Sequence, residues 1–282
     1  SVPKLGPGCF GRAPSPAAPL GSSSVPLGRG APSLADGTRA LDESIAIDDD
    51  RCEVDALVQV GVGVSSDFWF GVAWDSDGYV ATALGSDRVA ALAAVCRCLP
   101  NGTAYEVAQE SDRFPAGAAE MLARLERGDE SGKRFSISRN HRSLPMRRIL
   151  TAASAIPIGY VSTYGRIARS VGSEARAVGR AMACNPLYPI VPCHRVVGAG
   201  MRLVGYGGRQ DSEALSAKLA RIAAETRGIP GPKEIEVLDG VLELLPAEWV
   251  VRASERAEDL RAARDRRRAE DRVVDGMQSR LF

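Results

Sequence analysis

The sequence predicts a mixed α/β protein in which a small α/β unit precedes a mainly helical unit. Alternating and continuous apolar runs predict three strands, over residues 54–64, 67–73 and 79–82. Asp77-Gly78 separates the last two runs and is typical of a hairpin turn. Apolar residues at helical spacing then predict two helices, over residues 87–99 and 118–125. Strands followed by helices indicate an α+β arrangement for this unit.

The second unit is predicted to be helical. Residues 146–155 and 212–225 each have helical spacing. Two short helices between them, over residues 162–171 and 174–184, form a helix-turn-helix candidate. The second carries Arg176 and Arg180 four residues apart, and therefore on one face. Taken alone, this stretch also fits a plain helical hairpin with solvated arginines.

Changes in composition predict four segments. A Pro-, Gly- and Ser-rich tail over residues 1–44 is expected to be disordered or extended over another surface. The α/β unit then covers residues 45–130 and the helical unit covers residues 131–232, with a polar linker over residues 127–138 between them. Residues 233–282 form a C-terminal extension that contains a strand pair and a highly charged helix.

Composition limits the class of protein. With 45% hydrophobic and 25% charged residues, the 282-residue chain is typical of a soluble globular protein. No apolar run reaches the roughly 18 residues that span a membrane, and no secretory signal is seen. The six cysteines are scattered, which favours a reduced, intracellular setting. Their spacing and the presence of only two histidines predict no bound metal.

Charge is distributed unevenly along the chain. Residues 41–131 contain 18 acidic and 6 basic residues, whereas residues 132–210 contain 13 basic residues and one acidic residue. Such a basic segment is expected for a protein with a polyanionic partner, and the asymmetry favours nucleic acid over a merely solvated surface.

The chemically distinctive stretch is Pro192-Cys193-His194-Arg195-Val196-Val197. Pro192 blocks continuation of a central strand. A cation beside a thiol favours the thiolate, the nucleophilic form, so Cys193 is a candidate nucleophile. The alternative is a buried cysteine that packs as a small hydrophobic residue.

This stretch resembles the Pro-Cys-His-Arg-Val active-site signature of the O6-alkylguanine-DNA alkyltransferase family, the methylated-DNA–protein-cysteine methyltransferases. Flanking elements resemble the family at matching spacings: Ser162-Thr163-Tyr164-Gly165, Ala175-Arg176-Ala177-Val178-Gly179, Asn185-Pro186, Gly205-Tyr206-Gly207-Gly208, and the helix from Lys218 to Glu225. The resemblance is strong over residues 146–227, weaker over 51–125 and absent at both ends. It implies an α/β (α+β) N-terminal domain followed by a mainly helical, winged helix-turn-helix-like alkyltransferase domain.

The resemblance also implies residue roles. Cys193 would accept the alkyl group, His194 would take its proton through a water, and Glu225 would orient His194. Asn185 would brace the turn before the site, and Tyr164 would assist departure of the guanine. DNA binding would involve a further set of residues, namely Arg176, Ala177, Arg180 and Arg195 together with Tyr164. The substrate pocket would be formed by Pro192, Val196, Tyr206 and Gly207.

The implied reaction is irreversible transfer of an alkyl group from O6-alkylguanine, or less readily O4-alkylthymine, in duplex DNA to Cys193. A soft thiolate suits attack on a saturated carbon, and a base inside a duplex must be flipped out to present it. The resemblance implies no cofactor, a monomer that acts on double-stranded DNA, and a location with DNA, in the cytoplasm and nucleoid or in the nucleus.

Two features depart from the family pattern. The chain is several residues longer between Tyr206 and Lys218, which places the assignment of Glu225 on local pattern. Beyond the family core, Gln278, Leu281 and Phe282 resemble the Gln-x-x-Leu-Phe peptides that dock on replication sliding clamps. A frayed tail is the alternative for these last residues.

Three other functions compete with this interpretation. A non-catalytic, alkyltransferase-like lesion binder would lack the acceptor cysteine. A thiol hydrolase would need a base in direct reach of Cys193 and an oxyanion hole, and would turn over repeatedly. A helix-turn-helix regulator would function unchanged after Cys193→Ala.

Overall fold

The computed structural model describes residues 57–108, 115–131 and 133–278, with side chains of the last helix described up to residue 265. The predicted tail over residues 1–44 lies outside the described residues, as do Leu281, Phe282 and the side chain of Gln278. Within the described ranges, no helix combines the length and the apolar character needed to cross a bilayer.

The first unit contains a four-stranded sheet and two helices, which is one strand more than predicted. Its strands, in the order β3-β2-β1-β4, are β1 (Val58–Ser65), β2 (Phe68–Trp74), β3 (Tyr79–Gly85) and β4 (Tyr105–Val107). Its helices are α1 (Arg88–Cys98) and α2 (Ala118–Glu126). β1 to β3 are antiparallel, and β4 is parallel to β1. The three strands and two helices expected from the sequence are confirmed.

Alternation along β2 makes this sheet two-sided. Gly71 and Ala73 face α1, whereas Phe70 and Val72 belong to a core that extends into the second unit. Successive side chains of a strand point to opposite faces, so one strand serves both cores. The two units therefore share buried apolar surface.

The hairpin turn before β3 is closed by a carboxylate. Oδ1 of Asp75 accepts hydrogen bonds from the backbone N–H groups of Asp77 and Gly78, at 2.8 and 2.9 Å. Gly78 has φ +153°, a conformation that residues with a side chain rarely adopt. The predicted turn is confirmed.

The second unit combines helices with a second four-stranded sheet. Its helices are α3 (Leu144–Ser154), α4 (Tyr164–Ser170), α5 (Ala175–Ala183), α6 (Ser212–Ala224) and α7 (Ala247–Gln278). Its strands, in the order β6-β5-β8-β7, are β5 (Tyr160–Thr163), β6 (Val196–Val197), β7 (Lys233–Val237) and β8 (Gly240–Pro246). Mixed helices and sheets in both units confirm the predicted combination of α and β structure, and the winged helix-turn-helix-like character of the second unit stays a prediction.

The first helix of the predicted helix-turn-helix pair begins later than expected. Ser162 and Thr163 belong to β5 and pair with Val196 and Val197, so the prediction of helix from residue 162 was wrong by two residues. The side chain of Thr163 then caps α4 by accepting a hydrogen bond from the N–H of Arg166. The strand therefore ends at Thr163, and the helix begins at the next residue, Tyr164.

The segment over residues 127–138 is held along both units. The backbone of Tyr79 exchanges hydrogen bonds with Ser136 and Ser138, at 2.8 and 3.0 Å. Nζ of Lys133 donates to the carbonyl of Ser154, the last residue of α3, at 2.9 Å. These contacts place the segment between β3 and α3.

Residues beyond 232 complete the second sheet. β8 pairs with β5, and the predicted strand pair and charged helix are confirmed as β7, β8 and α7. Oε1 of Glu248 in α7 accepts hydrogen bonds from the N–H groups of Arg227 and Gly228, at 2.8 and 2.6 Å. The start of α7 therefore fixes the loop that follows α6.

Candidate active site

Cys193 lies in a 3₁₀ turn, Cys193–Arg195, that ends the loop after α5. Asn185 holds this loop, because its Nδ2 donates to the carbonyl of Val191 at 2.8 Å and its Oδ1 accepts from the N–H of Leu187 at 3.1 Å. Asn185 is 1% exposed, so water does not compete for these bonds. The structure thus places Asn185 inside the turn that the sequence expected it to brace.

The surroundings of the buried Cys193 thiol affect its pKa in both directions. Burial raises its pKa, while a hydrogen bond from Asn185 and the charges of Lys218 and Arg221 act to lower it. The thiol is therefore the resting form, and a base is needed to make the thiolate. The cations that lower this pKa, Lys218 and Arg221, lie in or beside the buried side of α6 and are not neighbours of Cys193 in sequence.

His194 and Glu225 meet, with Nε2 and Oε1 3.0 Å apart. Burial lowers the pKa of His194 to about 4, which keeps the imidazole neutral at pH 7. Burial would raise the pKa of Glu225, but hydrogen bonds from His194 and Arg195 outweigh it and lower that pKa to about 2. The ionised Glu225 can only accept, so Nε2 of His194 carries the proton. Nδ1 is then a lone-pair acceptor, buried and without a described hydrogen-bond partner.

The Arg195 side chain points into the protein interior. Its Nε and Nη2 donate to Oε2 and Oε1 of Glu225 at 2.7 and 2.8 Å, and its Nη1 donates to Oε1 of Glu130 at 2.6 Å. Only 3% of Arg195 is exposed. The prediction that Arg195 contacts DNA was therefore wrong, because two carboxylates already occupy its guanidinium.

Lys218 was not predicted as a site residue. It is 1% exposed, and its Nζ donates to the carbonyls of Val196 and Gly205 at 2.6 and 2.9 Å. Burial lowers its pKa to about 8. Lys218 therefore joins the strand that follows Cys193 to the loop that contains Gly205.

The sequence carried a signal for Lys218. The buried stripe of α6 is Ala214, Lys218 and Ile222, spaced four residues apart, whereas Leu215 and Leu219 are only partly buried. A lysine in the middle of an apolar helical stripe must satisfy its charge inside the fold, and is for that reason a candidate site residue.

A cavity of about 710 Å³ opens above Cys193. It lies between α4, α5 and the loop over residues 204–210, and most of its lining is small or aromatic. Among the predicted site residues, the lining includes Tyr164, Arg176, Arg180, Cys193, Tyr206 and Gly207. Pro192 and Val196 are buried and do not line it, which corrects the prediction that they form the pocket.

The outer face of α5 carries the cations at the cavity mouth. Arg176 and Arg180 are exposed, while Val178 and Met182 are buried on the opposite face. Ala177 is partly buried against the shared core. The helix therefore presents two arginines outward and its apolar residues inward.

Much of the basic segment is neutralised by pairing. Five of its arginines form ion pairs with Asp or Glu residues: Arg139, Arg148, Arg166, Arg195 and Arg209. Arg176 and Arg180 make no ion pair with a residue that the structure describes. The two arginines at the cavity mouth are consequently a better indication of where a polyanionic partner would bind than the net charge of the whole segment.

The part of the chain that contains this site is similar to known proteins. The family model described as 6-O-methylguanine DNA methyltransferase, DNA binding domain, matches residues 145–227. A methylated-DNA–protein-cysteine methyltransferase of Mycolicibacterium paratuberculosis is 40% identical over 124 residues, which cover 43% of this chain and 71% of that protein. One of Mycobacterium leprae is 52% identical over 64 residues, covering 22% of this chain and 39% of that protein.

A solved O6-methylguanine methyltransferase of Mycobacterium tuberculosis aligns with 62% of this chain and 96% of its own, at 24% identity and a TM-score of 0.41. That likeness is too distant to carry an argument about the site. The sequence relatives are closer, and the first of them is matched over more than two thirds of its length. The chain belongs to the methylated-DNA–protein-cysteine methyltransferase family.

Proposed function

We propose that this protein repairs DNA by moving an alkyl group from O6 of guanine, or less readily from O4 of thymine, to Sγ of Cys193. The observation that carries the proposal is the arrangement at the base of the cavity. A buried thiol lies next to a neutral histidine whose partner carboxylate is ionised. Family membership and the match to a DNA-binding domain supply the substrate class.

The chemistry follows from the protonation states. The Cys193 proton passes through a water to the unpaired Nδ1 of His194, and Glu225 stabilises the imidazolium that forms. The thiolate attacks the alkyl carbon, a C–S bond forms and the bond from carbon to O6 breaks. The electron pair of that bond goes to the guanine, which takes up one proton, so an unmodified guanine in the DNA and an alkylated cysteine result.

Tyr164 is proposed to assist the leaving base. Burial and the nearby Cys193 raise its pKa to about 12, so its hydroxyl stays protonated and can donate a hydrogen bond to the departing guanine. Nζ of Lys218 lies 5.8 Å from the centre of the Tyr164 ring, which helps to fix its orientation. Because a thioether has no ready leaving group, each molecule is expected to react once.

The reacting base is proposed to enter the cavity by flipping out of the duplex. Extrusion of a base costs a few kcal/mol, least for a damaged base. Arg176, which lines the cavity, is proposed to fill the gap in the stack, and Arg180, one turn later, is proposed to contact phosphate. The small residues of the lining leave room for the base.

Intact and peptide mass spectrometry with an O6-methylguanine oligonucleotide tests the proposal. We expect one methyl group per chain, mapped to Cys193 and absent in Cys193→Ala. Binding to damaged DNA without an adduct would favour the lesion-binder alternative. Repeated turnover without an adduct would indicate a thiol hydrolase.

A sliding clamp is proposed as a second partner, on the sequence pattern of Gln278, Leu281 and Phe282, which lies outside the described side chains. Pull-down of a clamp by the intact chain and its loss on deletion of residues 276–282 is the expected result. Equal capture by the two forms would refute it.

A further inference from the structure

The loop that leads to Cys193 is held by the first unit through one tyrosine. The backbone carbonyl of Tyr188 accepts a hydrogen bond from Oγ1 of Thr82 in β3, at 2.8 Å. The Tyr188 hydroxyl donates to Oε2 of Glu126, the last residue of α2, at 2.5 Å. Two elements of the first unit therefore hold both ends of one residue in this loop.

Tyr188 in turn contacts the cavity wall. A side-chain hydrogen bond joins it to Tyr206, which lines the cavity together with Cys193. With its hydroxyl engaged in this way, Tyr206 has a fixed orientation at the edge of the cavity.

Other contacts hold the Glu126 carboxylate in place. Arg221 of α6 forms an ion pair with Oε1 of Glu126, and its Cζ lies 5.4 Å from the centre of the Tyr188 ring. The Glu126 side chain is 8% exposed. Because each carboxylate oxygen has its own partner, the carboxylate cannot rotate without breaking one of these contacts.

We propose that Glu126 is a positioning residue for alkyl transfer, acting through Tyr188 to hold the ring of Tyr206 against the reacting base. The inference rests on the function proposed above and adds to it a residue of the first unit, outside residues 145–227 that match the family model. A released Tyr206 would leave a methylated base loosely held, whereas a base with a bulky alkyl group keeps contacts of its own with the wall. The loss of rate should therefore depend on the size of the alkyl group.

The test compares Glu126→Gln and Tyr188→Phe with the unmodified protein. Single-turnover transfer is measured from oligonucleotides with O6-methylguanine and with O6-benzylguanine, beside alkylation of Cys193 by iodoacetamide, affinity for undamaged duplex and the unfolding midpoint. We expect methyl transfer to slow by about tenfold, because a small displacement of a positioning group has effects of this order or larger. The ratio of benzyl to methyl transfer should rise severalfold, with the iodoacetamide rate and the affinity unchanged.

Glu120→Gln is the matched control, because Glu120 lies in the same helix and is exposed. A folded Tyr188→Phe protein with an unchanged ratio overturns the proposal, as does an equal fall in transfer and in iodoacetamide reactivity, which marks a merely structural role. If Glu126→Gln does not fold because Arg221 loses its partner, Tyr188→Phe still decides. If the unmodified protein takes up no alkyl group, the proposed function fails instead.

Discussion

Two buried cations flank the Cys193 turn, and they differ in what neutralises them. Arg195 donates to the carboxylates of Glu225 and Glu130. Lys218 donates to two backbone carbonyls and forms no ion pair with a carboxylate in the described chain. Lys218 is among the main groups that lower the pKa of the Cys193 thiol, and Arg195 is not among them. Adjacency in sequence therefore says less about a thiol's electrostatics than the partner of each cation does.

The largest expected effect tests the paired cation. Glu225→Gln removes the more buried of the two carboxylate charges that compensate Arg195, and breaking a buried ion pair costs about 3–5 kcal/mol. We expect urea unfolding to show a loss of that size. Glu243→Gln breaks the partly exposed pair with Arg166 and should cost less than about 1 kcal/mol. Equal losses in the two variants would mean that burial does not distinguish these pairs.

The second effect concerns pH. Burial depresses the pKa of His194 to about 4 from an ordinary value of 6.5, so the unfolded chain binds this proton more readily than the folded one. Stability is then fully present above pH 6.5 and falls as the pH drops from 6.5 towards 4, by at most about 1.4 kcal/mol per unit for this proton. Urea unfolding across this range should show that slope, and His194→Gln should reduce it. A slope that persists in the variant would assign it to other groups.

The third effect tests the unpaired cation. Lys218→Met removes a positive charge near the thiolate, and losing one such stabilising group costs about 100-fold in rate. We expect single-turnover transfer at pH 7.5 to fall by that order, and the pH profile of Cys193 alkylation by iodoacetamide to move to higher pH. Lys233→Met is the control, because Lys233 is exposed in β7. An unmoved pH profile would show that Lys218 acts only through its hydrogen bonds.

The same comparison shows what sequence could predict. Hydrophobic period and turn residues predicted the helices of both units and the longer strands, because these signals are local, but they did not predict the short strands β4, β5 and β6. The family resemblance singled out Cys193, His194 and Glu225, and the structure brings the side chains of His194 and Glu225 into contact. The contact between Arg195 and Glu130 could not be predicted from the sequence, because the two residues are 65 positions apart along the chain. Contacts that join distant segments depend on packing, and packing leaves no fixed spacing in sequence.

Glu126 and Tyr188 were missed for the same reason. Glu126 reads as an ordinary charged residue at the end of a helix, and Tyr188 as part of an apolar run. Their contact spans 62 residues. Lys218 differs, since its place in an apolar stripe was visible in the sequence and was overlooked.

The smallest expected effect extends the comparison to the surface. Arg180 is exposed and forms no ion pair within the described chain, whereas Arg209, also exposed, pairs with Asp211 and Glu213. A free arginine that neutralises a phosphate contributes about one unit to the slope of log affinity against log salt. Arg180→Gln should therefore weaken duplex binding and lower that slope by about one, measured by fluorescence anisotropy at several salt concentrations. Arg209→Gln should change the slope less, because that charge is already compensated. If the two variants reduce the slope by the same amount, an existing ion pair does not decide whether a surface arginine contacts DNA. The distinction drawn between Arg195 and Lys218 would then hold only for buried groups.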